Sequence, residues 1–157
     1  MTSLAKKNKN IVGVKLTCAS VAKITRLSAA LAPSDFSVFG GQSDFLLGGL
    51  ASGSAGCIAA FANIFPKSVK HIYDLYTSGK HEEALKLHRT AALAESLSKS
   101  GIASTKYGAS LTSAKSAGVE GAEEKLRPRR PYEAPSESEK EMIRSKMEEM
   151  VKIENSL

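Results

Sequence analysis

No apolar run in the sequence is both long and uninterrupted enough to cross a bilayer, which takes roughly 18 residues. The nearest, Phe45 to Ile64, is diluted by Gly, Ser and Ala and holds Asn63, so no membrane partner is expected. Cysteine is scarce. Cys18 and Cys57 show no metal-ligand spacing and lie in segments that read as buried, which points to reduced thiols in a reducing compartment, the cytoplasm first and the mitochondrion as the alternative. Residues 1–34 contain no acidic residue at all, against Lys6, Lys7, Lys9, Lys15, Lys23 and Arg26, whereas acids and bases balance over the rest of the chain. A basic, acid-free opening can be mistaken for an organelle transit peptide. The β-branched run IVGV and the helical spacing of Val21, Ile24, Leu27 and Leu31 point instead to folded core. Lys6, Lys7 and Lys9 have no interleaved aromatics, so no nucleic-acid partner is expected. His71, His81 and His88 fall on predicted helices and read as surface residues, and no internal repeat is visible.

What is present is an alternation. IVGV at 11–14, FSVF at 36–39 and AGCIAA at 55–60 read as strands, each followed by a helical stretch. The first helix runs from about Ser20 to Leu31 and is stopped by Pro33; the second starts near Ser43 with Asp44 in its first turn; the third opens on Pro66 with Val69, Ile72, Tyr73 and Tyr76 as its apolar face. Such an order predicts a parallel sheet with right-handed crossovers. An uninterrupted β-branched run predicts a strand covered on both faces. After Gly79 only helices are expected: HEEALKLHRTAALAESLSKS, IASTKYGASLTSAKSAG, and a last one capped by Ser136 with Glu139 three residues on, carrying Ile143, Met147, Met150 and Val151. The expected organisation is thus 1–79, strands and helices, followed by 80–157, helical.

Lys15 ends the first predicted strand, and the carboxyl ends of parallel strands are where ligands bind. Alone, such a lysine can simply extend its ammonium to solvent past an apolar stem. Set beside Thr17, the Gly40–Gly41 pair closing the second strand, and the stretch around Ile58, it belongs to one rim of the sheet. A primary amine there can attack a ketone and form a Schiff base whose iminium withdraws electrons from a breaking carbon–carbon bond. Paired glycines let backbone approach a ligand closely, or make a tight turn.

NIVGVKLTC, then FGGQSDFLLGGLASGSAGCIAAFAN, then KLRPRRPY, in this order over nearly the whole chain, resemble the carboxyl-terminal half of the dihydrodipicolinate synthase and N-acetylneuraminate lyase family, including its 4-hydroxy-2-oxoglutarate aldolase-like members. The resemblance implies half of a (β/α)8 TIM barrel, about three parallel strands with helices, followed by a helical region. It implies that Lys15 is the Schiff-base lysine of a class I lyase acting on pyruvate or a related 2-oxo acid, with no cofactor. Thr17 would line the pocket, Gly41 would contact substrate, and the Ile58 carbonyl would face the imine. Gln42 and Ser43 stand where other branches carry acidic substrate-reading residues, which implies a different second substrate.

A complete barrel needs about 250 residues, and on the resemblance this chain starts just before the sixth strand. The family's paired hydroxyl motif and its proton-relaying tyrosine have no counterpart here; Tyr73, Tyr76, Tyr107 and Tyr132 do not match that position. Two readings follow: a lyase represented by a truncated chain, or a non-catalytic half-barrel that associates with itself or with a full-length relative. A homo-oligomer or such a mixed assembly is expected because open sheet edges need cover.

Overall fold

The computed structural model describes residues 1–96 and 101–157; the tail of the predicted helix at 97–100 lies outside the described residues. The chain divides into two compact units, Met1–Ala59 and Ala60–Leu157.

The first unit is α1 (Thr2–Lys7), β1 (Gly13–Leu16), α2 (Val21–Ala30), β2 (Ser37–Gly40), α3 (Leu46–Ala51) and β3 (Gly56–Cys57). The strands form one parallel sheet in the order β1-β2-β3, as the alternation predicts. The ladder starts where the Ser37 N–H donates to the Val12 carbonyl and continues until the Gly41 N–H donates to Leu16, both at 2.8 Å. Those two bonds place β1 two residues later than the apolar run suggests. Lys15 therefore lies inside the strand, with Leu16 after it.

Nor is β1 covered on both faces. Val14 and Leu16 pack with Leu27 and Leu31 against a core of Ala5, Ile24, Phe36 and Val38, whereas Lys15 is exposed and Val12 is 65% exposed. Burying Ile24, fully enclosed, contributes about 2 kcal/mol. The helix that carries it starts where the Ser20 hydroxyl accepts from the Lys23 N–H at 3.3 Å, and Pro33 follows its end. The helix expected near Ser43 begins later, at Leu46, because the Leu46 N–H closes a turn onto the Ser43 carbonyl first. β3 is two residues long, and the Ile58 N–H extends its pairing by donating to Gly40 at 2.8 Å.

The second unit opens with a 3₁₀ turn at Ala60–Asn63 and continues as α4 (Pro66–Thr77), α5 (His81–Glu95), α6 (Ile102–Leu111), α7 (Ser113–Ser116), α8 (Ala122–Lys125) and α9 (Glu137–Ser156). The boundary falls earlier than the change of composition at Gly79, because α4 buries Val69, Ile72 and Leu75 and packs on α5 and α9. His88 is not a surface residue: it is buried, on the same stripe of α5 as Ala84, Ala91 and Glu95. His81 is exposed and stands edge-on to the Tyr76 ring at 4.7 Å.

The last helix begins as its sequence predicts. Ser136 accepts from the Glu139 N–H while the Glu139 carboxylate accepts from the Ser136 N–H at 2.7 Å. Ser136→Ala is expected to raise amide exchange across Glu137–Lys140 about fivefold, the equivalent of one lost cap. Hydrogen exchange by mass spectrometry would read it, and unchanged exchange would mean that the cap is idle. Farther along, Lys140 bridges Glu123 at 2.7 Å and Glu137 at 2.8 Å and lies over the Tyr107 ring; the two carboxylates hold its ammonium well above the ordinary lysine range.

Ile143, Met147 and Met150 form the buried stripe of α9, and the next position on that stripe is Glu154. Its carboxylate accepts from the Lys67 N–H at 2.9 Å, the Ser68 N–H at 2.8 Å and the Ser68 hydroxyl at 2.6 Å. No side chain of the adjoining loop caps α4, so a residue 86 positions away satisfies the orphan N–H groups of its first turn.

Candidate active site on the sheet

Side chains alternate across a strand, and in the parallel register Gly13 lies beside Ser37, Lys15 beside Phe39, and Phe39 beside Gly56. Val14, Leu16 and Val38 belong to the buried face. The opposite face therefore carries Gly13, Lys15 and Thr17 from β1 and its end, Ser37, Phe39 and Gly41 from β2 and its end, and Gly56 and Ile58 from β3. Lys15 and Phe39 are its large central side chains, set among glycines.

Thr17 and Gly41 are in direct contact. A Cβ on Gly41 would lie 2.3 Å from the Thr17 Oγ1 and 2.5 Å from its Cα, so only glycine admits the threonine at this point, and the Gly41 N–H completes the fit through its 2.8 Å bond to Leu16. The close approach expected of the glycine pair is made to Thr17. Thr17 is exposed, in the turn two residues beyond Lys15. Ile58, 50% exposed, lies at the end of β3. Ser43 sits in the loop after β2 but is 2% exposed, so its hydroxyl is enclosed rather than presented to solvent as Thr17 is.

Cys18 is not buried as its segment suggests; it is exposed, in the turn that follows Leu16. The Ser20 backbone N–H pulls its thiol below the ordinary range, with the Lys23 ammonium adding to the effect and a little burial opposing it. Cys57, half-buried, closes β3. Among the described residues no group of three or more His, Cys, Asp or Glu could hold a metal ion, and no helix is long and apolar enough to cross a membrane.

Sequence reasoning missed Phe39 as a neighbour of Lys15. Its only signal is parity: it stands between Val38 and Gly40 on a strand whose register must be known before its partner can be named.

The model of the dihydrodipicolinate synthetase family matches residues 1–150. A Coccidioides immitis protein named as a candidate mitochondrial 4-hydroxy-2-oxoglutarate aldolase is 66% identical over the whole of this chain and half of its own length. A second, from Emericella nidulans and similarly named, is 39% identical over 94% of this chain and 45% of its own. A crystal structure of a dihydrodipicolinate synthase family protein from Coccidioides immitis superposes with a TM-score of 0.94 at 65% identity, covering 99% of this chain and 51% of that one. The chain spans about half the length of the curated relatives it matches and corresponds to their carboxyl-terminal half. By this match, over nearly its whole length, the chain belongs to the dihydrodipicolinate synthetase family.

Proposed function

We propose that Lys15 is the Schiff-base lysine of a class I aldolase or lyase acting on pyruvate or a related 2-oxo acid, on what is the carboxyl-terminal half of a (β/α)8 barrel. The observation that carries the reading is the placement of an exposed lysine on a parallel strand, on a face otherwise rich in glycine, two residues before a threonine seated on Gly41. Relatives named as aldolases support it.

The chemistry uses the amine alone and no cofactor. Neutral Lys15 attacks the C2 carbonyl; the carbinolamine loses water and leaves an iminium. The C4 hydroxyl gives up its proton to water as the electron pair of the C3–C4 bond moves into that iminium, which releases an aldehyde and leaves an enamine. Protonation at C3 and hydrolysis return the amine and a 2-oxo acid. In this reading the exposed Thr17 hydroxyl hydrogen-bonds the adduct, Gly41 serves by seating Thr17, and Ile58 lines the pocket, whereas Ser43, enclosed in the loop after β2, does not face it. The compartment named for the two relatives favours the mitochondrion over the cytoplasm.

With pyruvate in deuterium oxide, the iminium–enamine step exchanges the methyl protons. Loss of the methyl proton signal is expected with the chain and not with Lys15→Arg, a difference of at least tenfold in rate. Exchange that is equal in both proteins, or equal to that with free lysine, overturns the reading.

A second reading has its own support. Val12 at 65% and Ile58 at 50% exposure are apolar groups of the sheet unit left uncovered, and β1 and β3 are both edge strands. A half-barrel of this kind would associate with itself or with a full-length relative without catalysing anything. Sedimentation velocity showing assembly, together with absent exchange, favours it.

A further inference from the structure

We propose that the helical unit carries a binding site for a free apolar α-amino acid, in a cavity of about 240 Å³ between α6, α8, the segment 126–135 and the start of α9. The site is independent of the reading of Lys15. Its volume lies below the roughly 300–1,000 Å³ of sites for drug-sized ligands, so the occupant is a small metabolite. One wall is apolar. Ala103 and Tyr107, one turn apart on α6, line it together with Leu126, Pro128, Ala134 and Pro135, and the two prolines bring no N–H that would need a partner.

The charges on the lining are two of each sign. Lys140 and Glu123 neutralise each other: the ammonium bridges Glu123 at 2.7 Å and Glu137 at 2.8 Å, which engages two of its three N–H donors. Arg127 and Glu124 are the other pair. They meet at 3.5 Å through a single guanidinium nitrogen, with side chains 60% and 78% exposed, and an ion pair of that kind contributes little and opens readily. An α-amino acid carries both complementary charges on one carbon. Its carboxylate accepts two parallel bonds from the Arg127 fork, its ammonium donates to Glu124, and its side chain lies against the apolar wall. A simple carboxylic acid would bring its charge up against Glu124, and a simple amine would bring its charge up against Arg127, so neither matches the pair.

Isothermal titration of the 157-residue chain is carried out with L-leucine, 4-methylpentanoate, 3-methylbutylamine and glycine. L-Leucine is expected to bind saturably with a Kd on the order of 0.1–1 mM. The other three are expected to bind at least about tenfold more weakly, the scale of one charge-assisted bond or of a buried isobutyl group. Arg127→Gln should weaken L-leucine about tenfold and leave 3-methylbutylamine no weaker, whereas Glu124→Gln should weaken L-leucine about tenfold and leave 4-methylpentanoate no weaker. Both side chains are exposed, so neither exchange disturbs the core. No saturable binding of L-leucine at about 10 mM overturns the proposal. So does any of the three smaller or singly charged probes binding as tightly as L-leucine, or wild-type affinity for L-leucine in both variants.

Discussion

Glu154→Ala is expected to destabilise the helical unit strongly. Its carboxylate, buried at 7% exposure, is the common acceptor for the Lys67 and Ser68 N–H groups and for the Ser68 hydroxyl. Ser68 is fully enclosed, so two of the three donors have no route to water once the carboxylate is gone. Leaving buried donors unmet costs about 1–3 kcal/mol each, and bonds to a charged acceptor sit at the upper end. The exposed Lys67 N–H recovers a water, so the net loss is about 3 kcal/mol. For a unit of this size that corresponds to a fall in melting temperature of about 15 °C. Glu154→Gln keeps one acceptor oxygen but turns an NH₂ toward the positive end of α4, and should lose about half as much. Circular dichroism melts of the three proteins test this, and an alanine variant that melts with the wild type would show that α4 does not depend on the contact.

The second large effect is at Gly41. Alanine there would place its Cβ 2.5 Å from the Cα of Thr17, and because that atom is backbone, no rotamer relieves the clash. The strand ends must part, which weakens the Gly41–Leu16 bond and shifts Thr17 relative to Lys15. Overpacking of this kind costs about 2 kcal/mol, and a displacement near 1 Å at a reacting centre costs about a hundredfold in rate. Gly41→Ala is therefore expected to slow pyruvate adduct formation far more than it lowers the melting temperature. Gly48 provides the control: an added Cβ would meet only the Val21 side chain, at 3.6 Å, so Gly48→Ala should leave both properties near wild type. Equal rates in the two variants would remove the Thr17–Gly41 contact from the argument.

These two sites differ in how far they can be read from sequence. The three strands, their parallel order, the cap at Ser136 and the stripe Ile143, Met147 and Met150 are local patterns, and the chain states them directly. Glu154 extends that same stripe at helical spacing, but nothing local says that its partner is the first turn of α4, because the loop between α8 and α9 and the packing of α9 decide it. Strand limits fail for a related reason. Apolar character at IVGV ends before Lys15, yet the ladder runs through it because hydrogen bonds from Ser37 and Gly41 fix where pairing starts and stops. The apolar character of its segment misleads for Cys18, which a turn exposes, and a histidine's polarity misleads for His88, which helix phase buries. Thr17, Gly41 and Ile58 are legible as strand ends, whereas Lys15 lies one residue inside its strand and Phe39 needs a register before its partner can be named.

The most direct test of Lys15 is to incubate the chain with pyruvate, reduce with borohydride and map the modified peptides by mass spectrometry. The adduct is expected on Lys15 and on no other lysine, with yield falling to background in Lys15→Arg. A folded wild-type chain that carries no adduct, or one spread over surface lysines such as Lys6, Lys9 and Lys70, would contradict it.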